Sequence, residues 1–177
     1  MLDFRTLWDN ALTFDAFLGA STKHKGLWEG LYGISRIPAW AASAVPADAR
    51  RKLLVIAEDW CGDASSTVPL LARLASEVPG LELRIILRDQ HPAVMDRYLT
   101  NGSRSIPIVI VLDDEYNEVG HWGPRPRQLQ AWVMENRNAM PKEQLYPQVR
   151  QWYARDRGET TLREVLQAAG LAVGRAA

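Results

Sequence analysis

The stretch Ala57-Glu58-Asp59-Trp60-Cys61-Gly62-Asp63-Ala64 lies where the hydrophobic pattern of the chain changes from a strand to a helix. Before it, residues 53–57 form a continuous apolar run of strand length, which is typical of a strand buried on both faces. After it, apolar residues recur at helical spacing as far as residue 77, and Pro79-Gly80 ends that helix. The stretch is therefore a strand-to-helix turn, and it carries the only cysteine of the chain.

Three further strands are predicted after a first strand at 53–58, namely 81–88, 106–112 and 118–122. The strands at 53–58 and 81–88 are joined by a full helix and should be parallel, with a right-handed crossover. The last two are joined by a short turn and must be antiparallel. The expected fold class is α/β, with a four-stranded mixed sheet made of a βαβ unit and a ββα unit. We expect the spatial order second, first, third, fourth, with the third strand antiparallel to the first.

Helical periodicity surrounds this sheet on both sides in the sequence. The predicted helices are 3–18, 22–33, 61–77, 92–99, 125–137, 142–155 and 161–169. The alanine-rich residues 41–49 are interpreted as a connector. Thr161-Leu162-Arg163-Glu164 matches a capping box, which predicts that the last helix begins there.

The 177 residues are enough for one domain with a hydrophobic core. We expect a single domain over 1–177, with a helical N-terminal extension at 1–50, a core at 51–140 and a C-terminal helical extension at 141–177. Lys plus Arg equals Asp plus Glu at 21 each, so the balance of charge favours neither nucleic acid nor an anionic membrane as a partner. Arg125-Pro126-Arg127 is a local basic stretch, and we interpret it as a solvated helix start.

The N-terminal residues mix acidic, polar and aromatic side chains and do not match a signal peptide. No stretch approaches the roughly 20 apolar residues of a membrane span. A single cysteine cannot form an internal disulfide, so the fold cannot depend on one. These features favour a cytoplasmic protein.

The turn Trp60-Cys61-Gly62-Asp63-Ala64 resembles the active-site turn Trp-Cys-Gly-Pro-Cys of the thioredoxin superfamily, with Asp63 in place of proline and Ala64 in place of the second cysteine. A second match is Gly102-Ser103-Arg104-Ser105-Ile106-Pro107, which is similar to the cis-proline loop of thioredoxins. A third is Gly123 after the fourth strand. The helical extensions look more like those of extended thioredoxin-like proteins of bacteria.

The resemblance implies a site between the cysteine turn and the proline loop. Cys61 would be the catalytic residue, and the Ile106–Pro107 peptide bond would be cis. The substrate-binding residues implied by the same motifs are Trp60, Gly62, Asp63, Ile106 and Pro107. We also expect Cys61 to be at least partly accessible, with Pro107 packed near it.

The environment of the thiol contains opposing influences on its pKa. A thiol in the first turn of a helix meets unpaired N–H groups and the positive end of the helix dipole, both of which favour the thiolate. Glu58, Asp59 and Asp63 surround it, and their charges oppose ionisation. Arg104 could approach from the proline loop. The sequence leaves the sign of the pKa shift open.

Dithiol exchange needs a second thiol to resolve the mixed disulfide, and Ala64 cannot supply one. The sequence therefore predicts a monothiol, used for thiol–disulfide exchange or redox sensing. Its partners would be a disulfide-bearing protein or a small thiol. We expect no resident cofactor, although glutathione could act as the resolving thiol. No metal is expected, because one cysteine and three scattered histidines show no ligand spacing.

Other interpretations of the same residues stay open. Free cysteine is among the most buried residue types, so Cys61 could be a small core residue. The fold could also serve as a non-redox binding module that holds an extended peptide in the groove between Cys61 and Pro107. A glutathione-bridged iron–sulfur site is a third interpretation, and the acidic turn disfavours it.

Overall fold

Four strands form one mixed sheet in residues 1–173, the part of the chain that the computed structural model describes. The strands are β1 Arg51–Ala57, β2 Leu81–Leu87, β3 Ile108–Leu112 and β4 Glu118–Trp122. Their order is β2-β1-β3-β4, with β1 parallel to β2 and β3 antiparallel to both β1 and β4. The predicted sheet, including its strand order, is confirmed.

The two central strands are buried almost completely, as the apolar runs predict. All five residues of β3 and the last six of β1 are buried. β3 begins two residues later than predicted, because the segment that contains Pro107 lies outside the sheet and proline has no N–H for a sheet hydrogen bond. β1 begins earlier than predicted, at Arg51, because its first two residues are polar and do not belong to the apolar run.

The N-terminal helices differ from the single helix predicted over 3–18. The structure has α1 Phe4–Asn10 and α2 Phe14–Ala20. Between them, Leu12 exchanges two backbone hydrogen bonds with Ile85 on the edge strand β2, with N–O distances of 2.8 Å in both directions. This pairing holds Leu12 in an extended conformation and breaks the helix.

The next helices are α3 Lys25–Ile34 and α4 Ala39–Ser43. The interpretation of 41–49 as a connector is wrong for its first residues, because they belong to the short helix α4. Ala41 is fully buried there. α5 Gly62–Glu77 follows β1 and buries most of its residues against the sheet. α6 Pro92–Met95 is shorter than the predicted helix and follows a 3-10 turn at Arg88–Gln90.

Three helices follow the sheet, α7 Arg127–Asn136, α8 Lys142–Asp156 and α9 Glu159–Ala168. The predicted capping box is wrong, because α9 already begins at Glu159 and Thr161 is buried within it. The Glu164 carboxylate instead accepts hydrogen bonds from the Trp122 indole, at 2.7 Å, and from the Arg127 N–H, at 3.0 Å. Glu164 therefore joins β4 to the start of α7.

Buried apolar residues form two clusters. The larger one includes the sheet, α5 and the N-terminal helices. The smaller one lies between α7 and α8 and consists of Leu129, Val133, Leu145, Val149 and Tyr153. None of the helices in the described part of the chain combines the length and apolar character of a membrane span.

Candidate functional site

Cys61 lies at the junction of β1 and α5, where it is the N-cap residue of α5. Its sulfur accepts a hydrogen bond from the Ala64 N–H, with a Sγ–N distance of 3.5 Å. The thiol also donates to the carbonyl oxygen of Ile106, with a Sγ–O distance of 3.5 Å. The turn and the proline loop therefore meet at the thiol, as the two motifs predict.

The proline loop is fixed from its other side by the segment that follows β4. The Ile106–Pro107 peptide bond is cis, and so is the bond between Gly123 and Pro124. Gly123 has a φ of 125°, and a Cβ there would overlap the Pro107 carbonyl oxygen. Only glycine satisfies both conditions, because it tolerates positive φ and brings no Cβ. Gly123 thus allows the close approach to the proline loop.

The thiol itself is less open than predicted. Cys61 is buried, with 9% of its surface exposed, so the prediction of a partly accessible cysteine is wrong. The Ile106 carbonyl contacts the sulfur, and Cys61 belongs to the main hydrophobic cluster. The enclosure is not purely apolar, however, because an N–H and a carbonyl group both contact the sulfur.

Burial decides the sign of the pKa shift that the sequence leaves open. It raises the pKa of Cys61 from 9.0 to about 11, because the thiolate loses its hydration. The Ala64 N–H lowers this pKa, whereas the negative charge of Asp63 raises it further. The positive charge of Arg125 also lowers the pKa of Cys61, by a smaller amount. The thiol is therefore protonated at neutral pH.

Two of the three acids near Cys61 are engaged elsewhere. Glu58 accepts a hydrogen bond of 3.0 Å from the Asp89 N–H. Asp59 accepts from the N–H groups of Thr22 and Lys23, both at 2.9 Å. Asp59 therefore ties the N-terminal extension to the turn.

The third acid, Asp63, lies in a buried polar cluster beside the thiol. Arg125 contacts both carboxylate oxygens of Asp63, with N–O distances of 3.0 Å and 2.8 Å. The Tyr153 hydroxyl donates to the same carboxylate at 2.9 Å, and Arg125 also donates to Gln130 at 2.8 Å. The interpretation of the basic stretch as a solvated helix start is wrong for Arg125, because its side chain is paired and largely buried.

Burial raises the pKa of Asp63 above its usual value, and the charge and hydrogen bonds of Arg125 together with the hydroxyl of Tyr153 offset only part of that rise. The two-point contact with a guanidinium is the geometry of an ionised carboxylate. The contact with Arg125 therefore favours the ionised form of Asp63, against the effect of burial. Of the three acids near the thiol, Asp63 is the one whose charge raises the pKa of Cys61.

Trp60 and Arg88 form the rim of the site. Trp60 is exposed, and the Arg88 guanidinium lies 4.8 Å from the centre of its ring. Arg88 also donates to the Arg104 carbonyl at 3.2 Å. The Arg104 side chain, which the sequence suggested as a partner for the thiol, instead pairs with Asp96 through contacts of 2.7 Å and 2.8 Å.

The remaining predicted residues lie around this rim. Gly62 is exposed, and a Cβ there would meet no atom within 4 Å, so the space beside the thiol is open on that side. Ile106 and Pro107 are buried and provide the opposite wall. Among residues 1–173, His, Cys, Asp and Glu form no group of three or more that could hold a metal ion.

Sequence reasoning missed Arg125, Gln130 and Tyr153. Arg125 and Tyr153 are 62 and 90 positions from Asp63. No local pattern marks such contacts. The one available signal was the position of Arg125 directly after the third motif, at Gly123-Pro124.

A mixed sheet in the order β2-β1-β3-β4, with a cysteine at the first helix N-terminus facing a cis-proline loop, defines a thioredoxin-like fold. A family model described as Thioredoxin matches residues 11–141. The chain therefore belongs to the thioredoxin family. The match begins well before residue 51, so most of the N-terminal helical region belongs to the family pattern.

Two solved structures resemble the chain over nearly its whole length. One is a protein of unknown function from Pseudomonas aeruginosa, with a TM-score of 0.75 and 24% identity, covering 96% of this chain and 98% of the other. The other is an HIV epitope scaffold, with a TM-score of 0.73, 22% identity and the same coverage. At this identity the likeness shows the fold alone. No curated protein matches the chain.

Proposed function

We propose that this thioredoxin-like protein carries out thiol–disulfide exchange with Cys61 as its single reactive thiol. The observation that carries the proposal is the position of the Cys61 sulfur, at the N-cap of α5 and 3.5 Å from the Ile106 carbonyl next to cis-Pro107. A buried cysteine that served only as core filler would not need these two polar contacts.

The proposed reaction has two steps. The Cys61 thiol loses its proton to solvent, and the thiolate attacks one sulfur of a substrate disulfide. The substrate S–S bond breaks, its other sulfur leaves as a thiolate and takes up a proton, and Cys61 is left in a mixed disulfide. An external thiolate then attacks the substrate sulfur and releases Cys61. Glutathione is suitable for this second step, because Ala64 supplies no internal thiol.

The raised pKa slows this chemistry without preventing it. With a pKa of about 11, about one chain in ten thousand carries the thiolate at pH 7, against about one in a hundred at a pKa of 9.0. Intrinsic nucleophilicity rises with pKa and recovers about tenfold of that loss. The remaining penalty is about tenfold, which docking of the substrate beside the thiol can offset by proximity.

The same numbers argue against the sensing part of the prediction. Redox-sensor cysteines are accessible and have low pKa values, because free oxidants react with the thiolate. Cys61 has neither property. We therefore propose exchange with a docked disulfide and no direct sensing of oxidants.

The proposed substrate is a disulfide-bearing protein or a small-thiol disulfide, held between Trp60 and Gly62 on one side and the Ile106–Pro107 loop on the other. The exposed ring of Trp60 offers an apolar surface beside the thiol. The proposal needs no metal or resident cofactor. A lone thiol that is resolved by glutathione suits a reducing compartment, and we propose the cytoplasm.

A turnover assay tests this proposal. The substrate is a peptide that carries a mixed disulfide with glutathione, and reduced glutathione is present in excess. The protein should speed up release of the peptide thiol above the rate without protein, and Cys61→Ser should remove the gain. Equal rates for both proteins would contradict the proposed exchange.

A non-redox binding module is the second candidate, and one observation favours it. The thiol is buried and protonated, whereas Trp60 next to it is exposed. In that case the groove would bind a peptide without any contribution from the sulfur. The turnover assay separates the two functions, since a binding module gives no rate above the background.

A further inference from the structure

We propose that Arg88 is a positioning residue of the thiol site, which holds the Trp60 ring in place for substrate docking. The proposal rests on the exchange function and deepens it, because Trp60 forms one wall of the proposed docking groove. Arg88 acts through the Trp60 ring and takes no part in the exchange of sulfur atoms.

The Trp60 ring has few other contacts that could fix it. Trp60 is 41% exposed and belongs to neither of the two apolar clusters. Within residues 1–173, its indole N–H takes part in no hydrogen bond, and Arg88 is the one cationic or aromatic group that contacts its ring. Exposed side chains that lack such contacts change rotamer freely. Arg88 therefore restricts the orientation of the ring.

The Arg88 side chain is itself fixed from two sides and is only 22% exposed. Its Nε donates to the Asp89 carboxylate at 2.9 Å, and its Nη1 donates to the Arg104 carbonyl at 3.2 Å. The Asp89 N–H in turn donates to Glu58 in the cysteine turn, at 3.0 Å. A guanidinium combines directional N–H groups with a flat face for an aromatic ring, a combination that an ammonium group lacks.

These contacts place Arg88 between the two walls of the groove. Trp60 directly precedes Cys61, whereas Arg104 lies in the proline loop, two residues before Ile106. The Ile106 carbonyl contacts the Cys61 sulfur at 3.5 Å. Arg88 thus sets the position of the Trp60 ring relative to the opposite wall. A substrate binds more tightly to a wall that is already ordered, because binding then costs less side-chain entropy.

The experiment measures binding of a labelled peptide by fluorescence anisotropy. The peptide carries a mixed disulfide with glutathione, and the protein is Cys61→Ser, in which no exchange can take place. Adding Arg88→Gln should weaken binding about fivefold, the scale expected for ordering one large side chain on binding. Arg88→Lys should restore part of the affinity, because it keeps the charge near the ring but loses the planar fork.

Arg84→Gln is the matched control, made in the same Cys61→Ser protein. The Arg84 guanidinium lies 5.1 Å from the centre of the Trp8 ring and donates to the Trp8 carbonyl at 2.8 Å. Arg84 pairs with Leu54 within β1, away from the cysteine turn. Urea denaturation should show similar losses of stability for both changes, whereas only Arg88→Gln should weaken binding. Equal weakening by Arg84→Gln would show a merely structural role and overturn the proposal.

A double-mutant cycle tests whether Arg88 acts through the ring. Trp60→Ala should weaken binding at least as much as Arg88→Gln, and the two changes together should cause little further loss. Fully additive losses would overturn the proposal.

The binding assay also separates this inference from the exchange function. Binding that depends on Arg88, together with no turnover by the protein that retains Cys61, would remove the proposed exchange and support the inference. Binding that Arg88→Gln leaves unchanged, or no binding to Cys61→Ser at all, would overturn the inference.

Discussion

The Tyr153 hydroxyl donates a hydrogen bond to Asp63, with an O–O distance of 2.9 Å across 90 positions of the chain. Tyr153 lies on α8, within the small apolar cluster between α7 and α8, and Asp63 lies in the first turn of α5. The hydrogen bond therefore connects the C-terminal helices to the turn that carries the thiol. Both groups are buried, so water cannot replace either partner.

Tyr153→Phe should lower the free energy of unfolding by about 1.5–3 kcal/mol, the usual range for a hydrogen bond to a charged group. The matched control is Tyr146→Phe, because Tyr146 lies on the same helix and is exposed. Urea denaturation of both variants measures the difference. Equal losses in the two variants would show that the bond to Asp63 contributes nothing to stability.

Gly123→Ala should destabilise the protein by about 2–5 kcal/mol, from the cost of a positive φ and of overlap with the Pro107 carbonyl. Gly102→Ala separates the two causes. Gly102 also has a positive φ, 78°, but a Cβ there meets no atom within 4 Å. Gly102→Ala should lower the free energy of unfolding by only about 1–2 kcal/mol. Denaturant unfolding of both variants measures the difference. Equal losses of stability in Gly123→Ala and Gly102→Ala would contradict the close approach of Gly123 to Pro107.

The rate of Cys61 alkylation should rise steadily with pH. Below its pKa a thiol gains about tenfold in thiolate fraction for each pH unit. With a pKa of about 11, the rate should still be rising at pH 10, because burial continues to disfavour the charged form. Rates measured with iodoacetamide from pH 6 to pH 10 check this. A plateau at or below pH 8 would show a thiol of low pKa and contradict the burial effect.

Ala64→Cys should allow an internal disulfide with Cys61. Ala64 is fully buried, and its N–H already lies 3.5 Å from the Cys61 sulfur, about one helical turn along α5. Loss of two free thiols per chain under mild oxidation, measured by thiol labelling, checks the prediction. Ser66→Cys is the control, because that position is a further half-turn away and should leave both thiols free. Two free thiols in Ala64→Cys would contradict a turn built for exchange.

Local sequence patterns account for most of the fold. The apolar runs predict the strands, and two short motifs locate the cysteine turn and the loop of Pro107, because these features depend on neighbours in the chain. The helix break at Leu12 could not be predicted, since it depends on pairing with Ile85 in a distant strand. The capping box failed for a similar reason, because Glu164 binds Trp122 and Arg127.

The candidate site was predicted less completely than the fold. Its residues from the two motifs meet where expected, but the burial of Cys61 depends on packing against residues distant in the chain, among them Ile106. The partners of Asp63 come from two later segments of the chain. No residue near Asp63 in the sequence indicates them. The pKa of the thiol, and hence its reactivity, follows from these distant contacts.

The central claim is that Cys61 is a working monothiol, and intact mass measurement after treatment with oxidised glutathione tests it most directly. The account predicts one glutathione per chain, attached at Cys61, absent in Cys61→Ser and removed by reduced glutathione. The adduct should persist until that thiol is added, because the chain contains no second cysteine. A chain that stays unmodified while its fold is intact would contradict the claim.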